Sequence, residues 1–305
     1  MFRHEAMIYA GDDGFLDGAL PFLRDGLKAD EAMLVVVSAA RIRRLREALG
    51  PDADGVQFAD MEQVGSNPAR IIPAWQEFVS RHGREGRPIR GIGEPVHPGR
   101  SAPALVECHR HESLLNLAFD RTPGFRLLCP YDTGALEPAV IEEARCTHPF
   151  VREDGIGSDS GGYGGLEAAC APFGDPLPEP RSETVELAFA SPNMHQLRAL
   201  VATYADLSGF GEGRTDDLVL AISELAANSI LHGGGEGSVR IWREPGVLIC
   251  EVRDAGRIDE PLVGRRQPVV GQIGGYGVWL VNQLCELVQV RTLPTGNVVR
   301  VHMAD

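Results

Sequence analysis

The sequence predicts two domains. The first, over residues 1–150, is an α/β domain with a mostly parallel sheet and helices on both faces; the second, over residues 184–305, is built of further helix and strand units. Three observations predict this. Strand-like and helix-like segments alternate through the first half, which implies parallel strands joined by crossover helices. A glycine- and proline-rich stretch, 151–183, then interrupts the pattern. The chain has 305 residues of which 43% are hydrophobic, enough for two packed cores.

The elements follow in order. Met7-Ile8-Tyr9-Ala10 reads as a short strand and 15–27 as a helix. Residues 33–37 are a fully apolar strand, followed by a helix over 41–49. Further strands are expected at 56–59, 89–93 and 125–129, each followed by a helix, at 68–81, 102–119 and 135–145. Between Asp154 and Arg181 the chain carries Gly155, Gly157, Gly161, Gly162, Gly164 and Gly165, then Pro172, Pro176, Pro178 and Pro180. Neither helix nor strand is expected to persist there, so the stretch reads as a linker, floppy in its glycine half and extended in its proline half.

In the second half, Leu218, Ile222 and Leu225 recur at helical spacing and line one side of a helix. Glu224, Asn228 and His232 lie on another side. Thr215 is the expected N-cap, Asp216 and Asp217 suit the positive helix start, and Gly233-Gly234-Gly235 ends the helix. A carboxylate and a carboxamide one turn apart suit a nucleotide site. Mg²⁺ takes oxygen ligands and is usually shared with phosphates, and the Asn228 carbonyl supplies one without added charge. Glu224 can take a proton from an attacking hydroxyl or water. A strand over 247–252 runs into Asp254-Ala255-Gly256. A carboxylate at a strand end can accept from the adenine amino group and repels guanine, while Gly256 lets the backbone approach the base. Gly274-Gly275-Tyr276-Gly277 opens an apolar run from Val278 through Val288 with helical spacing, and free N–H groups at such a start bind phosphate. Each piece alone reads more readily as a solvated helix face or an ordinary turn; the three in order read as a nucleotide site.

Residues from about 184 onward resemble the GHKL ATPase fold, an α+β Bergerat sandwich, and more narrowly the small anti-sigma-factor serine kinases of the RsbW and SpoIIAB type. The resemblance puts Glu224 in the catalytic position of the family's N box and Asn228 in its Mg²⁺ position. It makes Asp254 and Gly256 the adenine-binding pair, and Gly274, Gly275 and Gly277 the second glycine box. The implied cofactors are ATP and Mg²⁺. Where the first glycine box often has a second glycine, this chain has Ile258. The segment from about 257 to 273 is the expected ATP lid, with Arg265 and Arg266 as candidate phosphate contacts, because the chain's one lysine is Lys28.

In the first half, ligands are expected beyond the carboxyl ends of the strands, at Gly11-Asp12-Asp13-Gly14, Glu94 and Tyr131-Asp132. There is no Gly-Lys-Ser/Thr phosphate loop. Residues 4–14, Ile92-Gly93-Glu94-Pro95 and Glu107-Cys108-His109-Arg110-His111-Glu112 resemble the MEDS sensory domain, a family proposed to sense small organic compounds. The expected sensory site comprises Glu94, Glu107, His111, Tyr131 and Asp132, taking a small ligand. Cys108 and His111, three apart, have a zinc-compatible spacing, but no further partner has ligand-like spacing, so a packed or hydrogen-bonded helix face is expected.

A net charge of −14 argues against a nucleic-acid surface. No apolar stretch reaches the roughly 18 residues of a membrane span. Met1-Phe2-Arg3-His4-Glu5 opens without a signal-peptide apolar region. Six cysteines without a CxxC fit reduced thiols, so a cytoplasmic protein is expected.

The resemblance implies an anti-sigma factor that is also a protein serine/threonine kinase. Its partners are a sigma factor and a STAS-type anti-sigma-factor antagonist, the first domain modulates partner choice, and a homodimer is common among such relatives. A second reading is a non-catalytic ATP-binding module that sequesters the same partners. A histidine kinase fits less well, because the glycine–proline stretch stands where the phosphoacceptor hairpin belongs and His195 falls inside the ATPase domain.

Overall fold

The computed structural model describes residues 2–83, 86–165, 174–268 and 275–304. The chain divides into two compact units, Met1–Cys170 and Ala171–Asp305.

The first unit runs β1 (Arg3–Tyr9), α1 (Gly11–Lys28), β2 (Ala32–Val37), α2 (Ala39–Leu49), β3 (Gln57–Asp60), α3 (Met61–Gly65), α4 (Ile71–Gly83), β4 (Ile89–Gly93), α5 (Ala102–Phe119), β5 (Phe125–Asp132), α6 (Pro138–Thr147), β6 (Phe150–Glu153) and β7 (Ile156–Asp159). Its sheet has the order β3-β2-β4-β5-β1-β6-β7, parallel throughout except for the antiparallel β6–β7 pair. The fully apolar β2 is buried on both faces, as a strand inside a helix-covered parallel sheet must be. One face packs Met7, Val35 and Leu128 against Phe15 and Leu23 of α1 and Leu45 of α2. On the other, Trp75 of α4 and Phe119 of α5 meet Phe125 at ring distances of 5.7 and 5.1 Å. Gly91 lies under Trp75, where a Cβ would stand 2.6 Å from the indole.

Two differences from the sequence reading have local causes. β5 continues to Asp132, so Tyr131 and Asp132 are strand residues rather than loop residues. Residues 150–159 form a hairpin that runs into the stretch read as linker. Its turn is Asp154-Gly155, both at positive φ (48° and 77°), the geometry that a tight two-residue hairpin demands. Phe150 and Val151 then pair with β1, extending the sheet edge.

The second unit runs β8 (Val185–Ala190), α7 (Met194–Leu207), α8 (Glu212–His232), β9 (Glu236–Glu244), β10 (Val247–Asp254), α9 (Tyr276–Leu284), β11 (Leu287–Leu293) and β12 (Gly296–Ala304). The sheet order is β11-β12-β10-β9-β8, all antiparallel. This is the α+β sandwich. Leu218, Ile222 and Leu225 of α8 and Val281 of α9 share one core with Leu248, Cys250 and Val252 of β10. The alternate residues of β10 face the other way, where buried Glu251 accepts from Arg253 Nε at 2.7 Å and Arg300 Nε at 2.8 Å. Leu177 is buried, Pro178 accepts from Arg300, and Glu179 pairs with Arg240 at 2.9 Å and Arg253 at 3.3 Å. The proline half of the interdomain stretch therefore belongs to the second unit.

α8 starts at Glu212 with Gly211 as N-cap, so Thr215 lies inside the first turn rather than capping it. α9 ends at Leu284, where Cys285 turns extended (φ −108°, ψ 146°), and Leu287 and Val288 begin β11 instead of continuing the helix. β-branched residues suit that strand, and the apolar run spans two elements. Among the described residues no helix is long and apolar enough to cross a membrane.

Candidate nucleotide site

Three elements converge on a cavity of about 330 Å³ in the second unit. α8 supplies Leu225, Asn228, Ser229 and His232; β10 supplies Val252 and Asp254; the start of α9 supplies Gly277 and Val278 behind Gly275. Ile258, Val263 and Val299 complete an apolar wall of the sort that holds a flat base.

Asp254 is held from three directions. Its Oδ2 accepts from the Ser229 hydroxyl at 2.7 Å; its Oδ1 accepts from the Gly256 N–H at 2.8 Å and from Asn297 Nδ2 at 3.1 Å. A carboxylate so fixed meets a ligand donor without reorganising. The Asn297 amide is oriented in turn, its Oδ1 accepting from Ile258 N at 3.0 Å and from the Thr292 hydroxyl at 3.1 Å. Ile258, at the place of the missing family glycine, thus anchors the start of the expected lid through its backbone. Sequence reading missed Ser229 and Asn297. Ser229 adjoins the box residue Asn228, but Asn297 is tied to the site only by the register of β10 with β12, where Asp254 pairs with Asn297.

Glycines stand where the elements meet. A Cβ on Gly256 would lie 2.9 Å from Gly233 Cα and 3.0 Å from His232 O, which closes α8 onto the Asp254 turn. A Cβ on Gly277 would lie 2.9 Å from Asn228 Nδ2 and 3.2 Å from Glu224 Oε2. Glu224, Asn228 and the start of α9 thus lie side by side. Gly275 is the N-cap of α9 at φ 85°, a left-handed conformation that favours glycine. Gly274 lies outside the described residues. Arg265 is buried and Arg266 exposed, and neither lines the cavity; the guanidinium at its wall is that of Arg257, 3.5 Å from Asp259.

The five candidate sensory residues of the first unit do not form one cluster. Alternation along β5 sends Tyr131 and Asp132 to opposite faces. Asp132 Oδ1 accepts from the backbone N–H of Gly11 and of Gly134, each at 2.9 Å, and its Oδ2 lies 3.9 Å from Arg41 Nη2. Arg41 also pairs with Glu94 and lies over the Phe15 ring at 4.4 Å. Burial outweighs the Arg41 charge and pushes the Glu94 carboxyl up to about 7. A cavity of about 200 Å³ lined by Ser38, Arg41, Met61, Glu94 and His97 opens beside this pair. Tyr131 instead packs edge-on against His148. Glu107 and His111 are buried on α5, Glu107 3.6 Å from Arg110. The Cys108 thiol donates to the Pro95 carbonyl at 3.2 Å.

Residues 3–149 match the family model described as MEDS, the methanogen/methylotroph, DcmR sensory domain. Residues 187–303 match that of the histidine kinase-like ATPase domain. The chain is a MEDS domain joined to a histidine kinase-like ATPase domain. No curated protein matches it significantly. A crystal structure of the RsbU and RsbW domains of Rv1364c from Mycobacterium tuberculosis is similar at 15% identity, over 40% of this chain and 32% of that chain, with a TM-score of 0.31.

Histidine kinase-like ATPase domains bind ATP, typically with Mg²⁺. The residues of this ATPase domain fit both. The anchored Asp254 carboxylate beside an apolar wall suits an adenine amino group. The Asn228 carboxamide, whose oxygen would lie 3.5 Å from a Cβ on Gly277, carries the kind of neutral oxygen that suits a hard cation shared with phosphate.

Proposed function

We propose that the ATPase domain is a protein serine/threonine kinase and anti-sigma factor, and that its substrate is a STAS-type anti-sigma-factor antagonist. The observation that carries this reading is the approach of Glu224 and Asn228 to the space beside Gly277, where an added Cβ would lie within 3.2 Å of both: one acid and one amide of α8 meet the phosphate-binding type of helix start.

Asp254 and Gly256 hold the base, and the apolar wall of Leu225, Val252 and Val299 excludes water from it. Asn228 holds Mg²⁺, which supplies neutralisation of phosphate charge when bound. Glu224 takes the proton of a serine or threonine hydroxyl on the antagonist. That oxygen bonds to the γ-phosphorus as the bond from phosphorus to the β–γ bridging oxygen breaks, and ADP leaves. Arg257 and backbone N–H groups at the start of α9 meet the remaining phosphate charge. Unphosphorylated antagonist competes for the domain and releases the sigma factor. A small ligand in the MEDS domain biases that choice.

The reading is tested with radiolabelled ATP, Mg²⁺ and purified antagonist candidates. Glu224→Ala and Asn228→Ala both lose phosphotransfer, and Asn228→Ala also loses Mg²⁺-dependent nucleotide binding. Undiminished labelling by both variants would remove the catalytic assignment.

A further inference from the structure

Four buried side chains in the MEDS domain point at one another from four parts of the chain. His4 comes from β1, Glu112 from α5, Cys129 from β5, and His148 from the turn between α6 and β6. None is more than 1% exposed. His4 Nε2 lies 3.0 Å from Glu112 Oε2 and 3.3 Å from Cys129 Sγ; Cys129 Sγ lies 3.5 Å, and His148 Nε2 3.4 Å, from Glu112 Oε2. All four atoms fall within 4.8 Å of one another.

These spacings are those of ligands around one ion. Zinc bonds of roughly 2.0–2.3 Å to nitrogen, oxygen and sulfur give tetrahedral edges of about 3.3–3.7 Å. Four of the six edges are 3.0, 3.3, 3.4 and 3.5 Å, from just below that range into it.

The outer hydrogen bonds point to a cation independently. Asn116 Nδ2 donates to the Thr147 carbonyl at 2.8 Å, so its Oδ1 is the atom facing His4 Nδ1 at 3.1 Å, and that nitrogen must carry a hydrogen. His148 Nδ1 faces the Ala144 carbonyl at 2.8 Å and must carry one too. Both rings are therefore held with Nε2 turned toward the carboxylate, the arrangement that orients metal-bound imidazoles. The two ring centroids are 4.0 Å apart, and both Nε2 atoms meet the same carboxylate oxygen, His4 at 3.0 Å and His148 at 3.4 Å. Glu112 Oε1 and His148 Nε2 are buried without a well-formed hydrogen bond. One divalent ion satisfies all of these groups together.

We propose that His4, Glu112, Cys129 and His148 form a closed, four-ligand zinc site in the MEDS domain. One thiolate, two imidazoles and one carboxylate select zinc over magnesium or calcium. With every position taken by protein, the ion ties β1, β5, α5 and the end of α6 together. Asn116 and the Ala144 carbonyl are positioning groups that aim the two rings.

The test uses the full chain, stripped with chelator and titrated with Co²⁺ and then Zn²⁺. The expected result is one equivalent of Co²⁺ with the intense visible bands of a tetrahedral site and a thiolate-to-cobalt charge-transfer band, displaced by Zn²⁺. Cys129→Ser abolishes the charge-transfer band, whereas Cys108→Ser and Cys146→Ser keep it. Asn116→Ala weakens Zn²⁺ binding by about 10–100-fold while leaving the thiolate band in place. Circular dichroism of each variant separates lost binding from lost fold. A folded chain that takes up no metal, an octahedral cobalt spectrum, or a thiolate band that survives Cys129→Ser would overturn the proposal.

Discussion

At the scale of single residues, the two most informative carboxylates behave oppositely. Asp254 accepts from three donors, and an adenine amino group would need a further lone pair on it; asparagine keeps one accepting oxygen and loses the charge. A hydrogen bond to a charged acceptor is worth about 1.5–3 kcal/mol. Asp254→Asn should therefore weaken ATP binding by roughly 10–100-fold in calorimetry, with a smaller loss for GTP, whose base has an acceptor where adenine has a donor. Equal losses for both nucleotides would contradict the adenine assignment. Glu94 is governed by burial. Its carboxyl is raised from 4.5 to about 7, so the folded chain holds a proton that the unfolded chain has released between those values. The unfolded state then binds fewer protons, and stability falls as pH rises through that window, by an amount on the order of 3 kcal/mol for a shift of this size. Denaturant titrations from pH 4.5 to 7 should show that decline, and Glu94→Gln should remove it.

At the scale of elements, α8 joins core to chemistry. Its apolar side is buried in the core, and its polar side meets α9. Ile222→Ala should cost about 2–5 kcal/mol, read as a lower denaturant midpoint at unchanged slope. Gly277→Ala separates function from stability. Alanine favours the helix by up to about 1 kcal/mol, yet its Cβ would crowd Asn228 and Glu224. The variant should keep its melting temperature within a few degrees and lose Mg²⁺-dependent nucleotide binding; retained binding would show that this contact is slack. The repeated strand–helix pattern, the apolar β2, the α8 stripe and the Asp254-Ala255-Gly256 turn were legible because each is written in neighbouring residues. The β6–β7 hairpin was legible in principle through Asp154-Gly155, but a run of glycines obscured it. Ser229 adjoins Asn228, but Asn297 and the set His4, Glu112, Cys129 and His148 were not legible, because strand register and helix docking bring them together across up to 144 residues of chain, and no local spacing records that.

At the scale of the whole molecule, each unit has its own sheet and its own core. Ligand binding to one should therefore raise the melting point of that unit. At 100 times its dissociation constant, MgATP contributes about 2.7 kcal/mol, which for a domain of this size is a shift of roughly 5–15 °C. Scanning calorimetry should show two transitions, one of which moves with MgATP. Residues 171–305 produced alone should bind ATP within about threefold of the full chain, since every described residue lining the cavity lies in that unit.

β5 is a partition wall inside the MEDS domain. Cys129 and Tyr131 look into one chamber, where the histidines gather, while Asp132 is turned to Arg41 and the opening beside it. Whatever free energy an occupant of one chamber transmits through that wall, an occupant of the other must return in equal measure. If small molecules at the Arg41 side tighten the hold on metal, metal tightens the hold on them by the same factor, and the domain reports the two together.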